Sequence, residues 1–308
     1  MNKENKDNET SVISLQDIKE IELRVLARSR ELISGNHASI FRGSGDEIAG
    51  LRDFEPGDRP NSVDWSQSSI NSFSPMVVKD FEEFKIMDVV AVADRSLSTR
   101  FCINGISVAH IIARAMATIG VSALFFRDPF GSVVFDENFF LQSFRPEAGR
   151  SKLWRCLNSY QKPLLSIGGD GKDNLTRSVR GILSRKSLVV LISDFLFDDA
   201  EKILADFRRI KSIHDVFVVL ADSSFSLHLP NLKSGWIEVS DAETGRIITV
   251  SSRELRKFKS MAEERQLKIG QEIKKLGIGV VRASADKQRS DMELVNFFFM
   301  RRLAKIRS

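Results

Sequence analysis

The sequence predicts an α/β protein with a doubly wound, mostly parallel sheet. Short β-branched apolar runs recur along the chain as "MDVVAVAD", "SLVVLISD" and "DVFVVLAD". Such runs are typical of strands buried on both faces of a parallel sheet. Segments with helical periodicity lie between them, and this alternation indicates a doubly wound sheet. The 308 residues are enough for one large domain or two ordinary ones.

The residues before 86 are predicted to form an N-terminal lobe. Residues 1–14 are polar and charged, so we expect a disordered tail. The segment "SLQDIKEIELRVLARSREL" predicts a helix capped by Ser14, because its apolar residues recur along one face. Glycine-punctuated loops with short strands and the extended "SPMVVKDFEEFKI" follow. We therefore expect a β-containing lobe over residues 15–85.

The α/β domain is predicted over residues 86–308. After its first strand, "SVAHIIARAMATIG" predicts a helix that ends at Gly120, and "VSALFFRD" and "GSVVFDE" predict two strands joined at "DPFG". An inserted β-hairpin is predicted at about residues 235–251, with its turn at Glu243–Gly245. A strand is predicted in "GIGVVRAS", and helices in "SKLWRCLNSY", "NLTRSVRGILSR", "DDAEKILADFRRIKSI", about 252–275 and "DMELVNFFFMRRLAKI".

The composition argues against several classes of protein. The net charge of +5 is mild, so it does not by itself indicate a nucleic-acid partner. The two cysteines match no metal-site spacing and indicate a reducing compartment. The N-terminus lacks the apolar core of a signal peptide, and no apolar run approaches the roughly 20 residues of a membrane helix. We therefore expect a cytoplasmic protein with no membrane insertion and no nucleic-acid partner.

Oxygen-bearing side chains follow the buried strands at one predicted edge of the sheet. Asp94, Ser96 and Ser98 follow the first strand, and Asp194 follows the second. Ligands bind beyond the carboxyl ends of strands in open α/β sheets, and residues two apart in an extended loop face the same way. Such hard oxygen ligands suit Mg²⁺, with Mn²⁺ or Ca²⁺ as alternatives. The other interpretation is that these side chains only cap turns.

A metal-dependent hydrolase is the enzymatic alternative for the same residues. Asp94 could serve as an aspartyl nucleophile, but haloacid dehalogenase-like enzymes place a second aspartate two residues on, where this chain has Ser96. The four histidines fall in no visible triad pattern, and the chain has no G-x-x-x-x-G-K-[ST] phosphate loop. The sequence therefore favours a non-enzymatic interaction module and leaves a metal-free scaffold open.

A turn-rich stretch, "LRDFEPGDRPNSVDWSQS" (residues 51–68), precedes the first buried strand. Its Pro-Gly and Arg-Pro steps predict turns, and we expect Trp65 to anchor the segment by burying its ring. We also expect Arg52, Asp58 and Asp64 to form an ordered polar cluster that positions a partner surface. The alternative is that the stretch is only a structural lobe.

Two sets of motifs give the chain a resemblance to a known family. Residues 43–65 contain "G-x-G-x-E", "LR-x-[YF]-x-PGD" and "[IV]DW", and a "D-x-S-x-S" follows at Asp94–Ser98. Counterparts of "VLISDF", "VSDAETGR", "LGIGVVRASAD" and "LVNFFFMRR" then occur in order. On these motifs the chain resembles the large bacterial domain-of-unknown-function family 58.

The resemblance implies a fold and a metal site. Members of that family resemble von Willebrand factor type A domains, which are Rossmann-like. Their metal-ion-dependent adhesion site takes ligands from a D-x-S-x-S loop, a threonine of a second loop and an aspartate of a third. Carried over by position, the resemblance assigns Asp94, Ser96 and Ser98 to the first loop. It assigns Asp194 to the third.

The second loop departs from the family pattern. Where the family commonly has "G-[GT]-T-x-L", this chain has "GGDGKDNLTRSV", which aligns Asp173 with the threonine and leaves Thr176 three residues later. The resemblance thus implies either an altered site that uses Asp173 or Thr176, or a site that has lost its metal. It also implies partnership with a MoxR-type AAA+ ATPase in the assembly or regulation of a client protein complex.

Overall fold

The computed structural model describes most of the chain between residues 12 and 306. The described residues are 12–34, 48–58, 60, 63–70, 75–81, 86–100, 102–103, 106–136, 141–161, 175–197, 200–223, 236–240 and 247–306. By contacts the chain divides into two compact units, residues 1–25 with 86–299, and residues 26–85 with 300–308.

Helices and strands alternate through most of the described residues. The helices are α1 (Leu15–Ser34), α2 (Trp65–Ile70), α3 (Val108–Phe125), α4 (Arg150–Gln161), α5 (Leu175–Ile182), α6 (Ala200–Lys211), α7 (Ser252–Lys275) and α8 (Lys287–Ile306). The strands are β1 (Ile48–Asp53), β2 (Val77–Phe81), β3 (Val89–Asp94), β4 (Cys102–Ile103), β5 (Ile106–Ser107), β6 (Phe130–Phe135), β7 (Leu141–Glu147), β8 (Leu188–Ser193), β9 (Asp215–Ala221), β10 (Trp236–Ser240), β11 (Ile247–Ser251) and β12 (Gly279–Ala283). A 3₁₀ turn spans Leu97–Arg100.

A mostly parallel sheet flanked by helices lies in the first unit. Among the described residues it has six strands in the order β12-β9-β8-β3-β6-β7. Neighbouring strands pair in parallel except β7, which pairs antiparallel with β6 at the edge. Every residue of β3 and β8 is buried, as expected for strands covered on both faces. The predicted α/β class with a mostly parallel sheet is confirmed.

The order of the strands reverses between β3 and β8. The chain places β6 and β7 on one side of β3, and later adds β8, β9 and β12 on the other side. The connections after β3 and β8 therefore leave in opposite directions, which opens a crevice at their carboxyl ends. Such a switch point is the usual ligand site of an open α/β sheet.

Alternate residues of the central strands pack against α5, α6 and α7. Val90 and Val92 of β3, two residues apart, share this face with their counterparts on β8 and β9. The helices contribute Val179, Phe207 and Ile273, all fully buried. This core fixes α7 against the sheet, which matters for the site described below.

The apolar stretch after β5 is one long helix, α3, and two predictions for it are wrong. We expected the helix to end at Gly120 and a strand to follow in "VSALFFRD". Gly120 instead lies inside α3, where a Cβ would clash with Leu153 Cδ1 of α4, so the glycine allows close helix packing. A short apolar run cannot distinguish a buried helix from a buried strand, which explains the error.

Helix α3 is also apolar enough to cross a membrane by length and composition. Its mean hydropathy is 1.7 over 18 residues, and among the described residues it alone passes this test. However, 78% of the helix is buried inside the fold. The core helix of a folded domain passes the same test, so α3 is weak evidence for a membrane span.

The remaining predicted elements that fall on described residues agree with the structure, whereas α2, β4, β5 and β7 were not predicted. Helix α1 begins as expected: the backbone N–H of Asp17 donates to Ser14 Oγ at 3.1 Å, and Asp17 Oδ2 accepts from the Ser14 backbone. The hairpin pairs β10 with β11 in the predicted segment, while its predicted turn lies outside the described residues. Strand β7 was missed, because "LQSFRPE" carries a proline and no β-branched run. A proline within a sheet is tolerated on an edge strand, which is where β7 lies.

Candidate functional site

The two strands at the switch point each lead to an aspartate. Asp94 is the last residue of β3, and Asp194 directly follows β8. The strands pair in register, with Ala93 opposite Ile192, so their carboxyl ends lie side by side. Both aspartates are fully buried. The structure thus brings together the two carboxylates that the sequence predicted to meet.

Serine hydroxyls bond to each of the two carboxylates. Ser96 Oγ lies 3.0 Å from Ser98 Oγ, and the Ser98 hydroxyl donates to Asp194 Oδ1 at 3.2 Å. On the other side, the Ser193 hydroxyl donates to Asp94 Oδ2. Ser96 is fully buried and Ser98 is half-buried. All four ligands predicted from the first and third loops therefore lie in one cluster, and Ser193 adds a further hydroxyl.

Backbone groups fix the orientation of each carboxylate. The Ser96 N–H donates to Asp94 Oδ1 at 2.8 Å, and the Leu196 N–H donates to Asp194 Oδ1 at 3.0 Å. Each aspartate thus bonds to the backbone two residues on, as in an Asx turn. The Thr99 hydroxyl also donates to the Ser96 carbonyl at 2.7 Å. These bonds give the first loop a defined shape.

One carboxylate oxygen of the site has no hydrogen-bond partner among the described residues. Asp194 Oδ2 is buried and accepts no hydrogen bond from any described residue. Leaving a buried polar atom unsatisfied costs about 1–3 kcal/mol. Burial, together with the neighbouring Asp94 carboxylate, raises the pKa of Asp194 to about 7. The cause is that two adjacent buried carboxylates resist being charged together.

The donor set fits a hard divalent cation. It consists of carboxylate and hydroxyl oxygens, the ligands that Mg²⁺ and Ca²⁺ prefer, and it includes one carboxylate oxygen that accepts no hydrogen bond from the part of the chain that the structure describes. Across the described ranges, no group of three or more His, Cys, Asp or Glu side chains could hold a metal. A cation here would therefore depend on serine hydroxyls and water beside two carboxylates, as Mg²⁺ tolerates.

Two buried polar side chains from helices also reach the site, and sequence reasoning missed both. The Tyr160 hydroxyl of α4 donates to the Asp94 carbonyl at 2.9 Å, and the Gln266 side-chain amide of α7 donates to the Asp194 carbonyl at 3.0 Å. Burial, and then the charge of Asp94, raise the pKa of Tyr160 well above its ordinary value. For Gln266 a signal existed, because this polar residue shares an apolar helix face with Ile269, three residues on.

The structure does not bring Thr176 to the two aspartates. Thr176 lies in α5, and its hydroxyl donates to Asp206 Oδ1 of α6 at 3.1 Å. It therefore contributes to the packing of two helices. Asp173, the other candidate from the second loop, lies outside the described residues.

The acidic residues of the 51–68 stretch stabilise local turns. Asp58 Oδ2 accepts from the Glu55 N–H at 2.8 Å across a turn in which Gly57 has φ +117°. That angle favours glycine. Asp64 Oδ1 accepts from the N–H groups of Ser66 and Gln67 and so caps α2. These contacts are local and order the stretch, and the expected cluster with Arg52 stays a prediction.

The remaining two residues of this stretch are Arg52 and Trp65. Arg52 lies in β1 opposite Val78 of β2, and its side chain lies outside the described part of the structure. Trp65 is 62% exposed, so the prediction of a buried anchor is wrong. The reason is that Trp65 is the first residue of α2, whereas that helix buries Ser68, whose hydroxyl accepts from the Val77 N–H at 2.9 Å.

The chain matches one protein family over residues 50–268, and its description is "Protein of unknown function DUF58". No curated protein matches the chain. Similar solved structures include the conserved hypothetical protein BatB from Bacteroides thetaiotaomicron, which is 14% identical in sequence. The alignment covers 71% of this chain and 99% of that chain, and the TM-score is 0.39.

Two further structures show the same low similarity. An aerotolerance-related membrane protein from Bacteroides fragilis NCTC 9343, with multiple mutations to serines, has 17% identity, coverage of 68% of this chain and 99% of that chain, and a TM-score of 0.37. An uncharacterized membrane spanning protein from Vibrio fischeri has 16% identity, coverage of 69% and 98%, and a TM-score of 0.22.

Proposed function

The chain belongs to the DUF58 family of proteins of unknown function, and we propose that its α/β unit is a non-enzymatic protein-interaction module with a divalent-cation site. The observation that carries this proposal is the buried pair of Asp94 and Asp194 at the switch point, with Asp194 Oδ2 left without a described partner. The cation is Mg²⁺ in the first instance, with Mn²⁺ or Ca²⁺ as alternatives.

Each residue of the proposed site has a distinct role. Asp94 and Asp194 supply negative charge, while Ser96 and Ser98 supply neutral oxygens. Ser98 is the least buried of the four, so a partner approaches from its side. A bound cation would supply a directional, charge-dependent contact to an acidic side chain of that partner. We also propose a von Willebrand factor A-type fold for this unit, because the D-x-S-x-S loop at Asp94–Ser98 and the loop of Asp194 meet at the switch point of its mostly parallel sheet.

The hydrogen bonds of Asp94 support binding over catalysis. Its two carboxylate oxygens accept from the Ser96 N–H and the Ser193 hydroxyl, which orients the group and lowers its nucleophilicity, while a carboxylate oxygen that accepts one hydrogen bond has a second lone pair for a cation. The hydroxyls of Ser98 and Ser193, which donate to the two aspartates, are not efficient general bases. A metal-dependent hydrolase is therefore the less favoured alternative. Turnover of a phosphate ester that is lost in Asp94→Asn would support it.

The cation site is tested by isothermal titration of the purified protein with MgCl₂ and MnCl₂. We expect saturable binding by the wild type and none by Asp94→Ala. Asp206→Asn is the matched control, because it alters an aspartate on α6 that lies outside the site, and it should bind as the wild type does. Equal, negligible heats from the wild type and Asp94→Ala would refute the cation site.

A metal-free scaffold is the second candidate, and one observation favours it. Both carboxylate oxygens of Asp94 already accept a hydrogen bond, from the Ser96 N–H and the Ser193 hydroxyl. In this case the hydrogen bonds of the serine hydroxyls would hold the edge of the sheet together without a cation, whether or not one of the two carboxylates carries a proton. Partner binding that persists unchanged in EDTA and in Asp94→Ala would favour the scaffold over the cation-dependent module.

The partner that we propose is a MoxR-type AAA+ ATPase, acting in the cytoplasm with a client protein complex. The support is the ordered set of motifs from Gly43 to Arg302 that this chain shares with the family. Affinity purification of the tagged chain from its native host, followed by mass spectrometry, tests this. We expect an AAA+ ATPase to co-purify, and its absence from reproducible purifications would contradict the proposal.

A further inference from the structure

The loop that carries Asp194 contains a strained backbone. Phe195 has φ +57°, in the left-handed region that glycine normally occupies, and its side chain is fully buried. A non-glycine residue there costs about 1–2 kcal/mol. Such a conformation persists only where the surrounding structure holds it, and it is found most often at functional sites.

Bonds within the loop supply part of that support. The Phe195 N–H donates to Ser193 Oγ at 2.9 Å, and the Leu196 N–H donates to Asp194 Oδ1 at 3.0 Å. The second bond means that the turn and the carboxylate are one unit. If the backbone at Phe195 relaxes, the Asp194 carboxylate must move with it.

Two consecutive residues of α7 supply the rest. The Gln266 amide donates to the Asp194 carbonyl and to the Ala221 carbonyl at the end of β9, each at 3.0 Å. The Arg265 guanidinium donates to the Phe197 carbonyl at 2.5 Å. One helix turn therefore holds carbonyls on both sides of the strained residue, and Gln266 also ties the loop to the neighbouring strand.

Helix α7 is a rigid support for these bonds. Ile269 and Ile273 follow Gln266 on the same face and are buried in the core beneath the sheet. A capping box formed by Ser251 and Glu254 begins the helix. Gln266 is only 5% exposed, so its side chain has little freedom once the helix is packed.

We propose that Gln266 is a positioning residue, assisted by Arg265, that holds the Asp194 carboxylate in the orientation a divalent cation requires. This inference rests on the proposed cation site and adds to it the helix that sets its geometry. Gln266 contacts the backbone of the ligand and not the cation. Its removal lets Phe195 leave the strained conformation, and the Asp194 carboxylate then moves with the Leu196 N–H that orients it.

The experiment compares the Mg²⁺ and Mn²⁺ affinities of Gln266→Met and Ile273→Ala by isothermal titration of the full chain. Methionine keeps nearly the volume of glutamine and removes the hydrogen bonds. We expect about 10- to 100-fold weaker binding, as when an outer partner of a metal ligand is lost. Ile273→Ala destabilises the same helix, but removes none of those bonds, so its affinity should equal that of the wild type in folded protein.

The possible results separate this inference from the proposed function. Saturable binding by the wild type, with unchanged affinity in folded Gln266→Met, overturns the positioning role and leaves the cation site in place. Equal losses in Gln266→Met and Ile273→Ala also overturn it, because general destabilisation would then suffice. No saturable binding by the wild type refutes both. If Gln266→Met does not fold, Arg265→Met replaces it, because Arg265 is only half-buried and its side chain donates to the Phe197 carbonyl. An unchanged cation affinity in folded Arg265→Met then overturns the inference.

Discussion

Replacing Asp194 with asparagine should stabilise the metal-free protein at about pH 8. Most substitutions of a buried, hydrogen-bonded residue destabilise a protein. Here the opposite is expected, because the folded state holds Asp194 beside the buried Asp94 carboxylate and the unfolded state does not. Asparagine keeps the shape of the side chain and removes its charge.

The magnitude follows from the pKa of Asp194, which burial and Asp94 raise from 3.8 to about 7. At about 1.36 kcal/mol for each tenfold change in affinity for the proton, ionised Asp194 destabilises the fold by at most about 4 kcal/mol above pH 7. The asparagine oxygen is a weaker acceptor for the Leu196 N–H and the Ser98 hydroxyl. Each weakened bond reduces the gain in the free energy of unfolding by about 1 kcal/mol. We therefore expect a net gain of about 1–2 kcal/mol.

The sign of the pH dependence is also defined. The folded pKa lies above the unfolded value, so the folded state binds the proton more tightly, and stability falls as pH rises from about 4 to about 7. The advantage of Asp194→Asn should therefore be present at about pH 8 and absent at about pH 4. Urea unfolding in EDTA at both pH values measures it.

Asp17 provides a matched control with the opposite sign. Burial raises the pKa of its carboxyl, but hydrogen bonds from Lys287 and Ser14 outweigh burial and hold that pKa well below the ordinary value. Arg114 also contacts Asp17, at 2.6 Å. The ionised Asp17 carboxylate stabilises the fold above its unfolded pKa, and this stabilisation is lost as pH falls through its folded pKa. Asp17→Asn should therefore lower the free energy of unfolding by about 3–5 kcal/mol at neutral pH. If Asp194→Asn is also destabilised at about pH 8, or its effect does not change with pH, the reasoning about the carboxylate pair is refuted.

Two further predictions concern packing. Gly120→Ala should lower the free energy of unfolding by about 1–3 kcal/mol, because the new Cβ would clash with Leu153 between α3 and α4. An unchanged free energy in urea unfolding would contradict that packing. Trp65→Ala should change the free energy of unfolding by less than about 0.5 kcal/mol, because the ring is 62% exposed, and a loss above about 2 kcal/mol in the same assay would mean that the ring is buried.

Local patterns were sufficient to predict the class of the fold and the centre of the candidate site. The β-branched runs predicted β3, β8 and β9, and the rule that ligands lie at the carboxyl ends of parallel strands brought Asp94 and Asp194 together. Both inferences depend only on residues close in sequence and on a general property of such sheets. Within α3 the same patterns failed only at the end, where the short apolar run after Gly120 does not distinguish a buried helix from a buried strand.

The sequence by itself determined the alternation of strands and helices, the turn at Pro56–Gly57, and the acidic edge of the sheet. Only the tertiary structure decided which side chains support that edge. Gln266 lies 72 residues from Asp194 and Tyr160 lies 66 residues from Asp94, and each reaches its partner only after its helix has packed on the sheet. The exposed position of Trp65 and the strain at Phe195 were decided in the same way. The physical reason is that burial and hydrogen-bond partners belong to the packed arrangement of elements, whereas propensity and periodicity belong to the local chain.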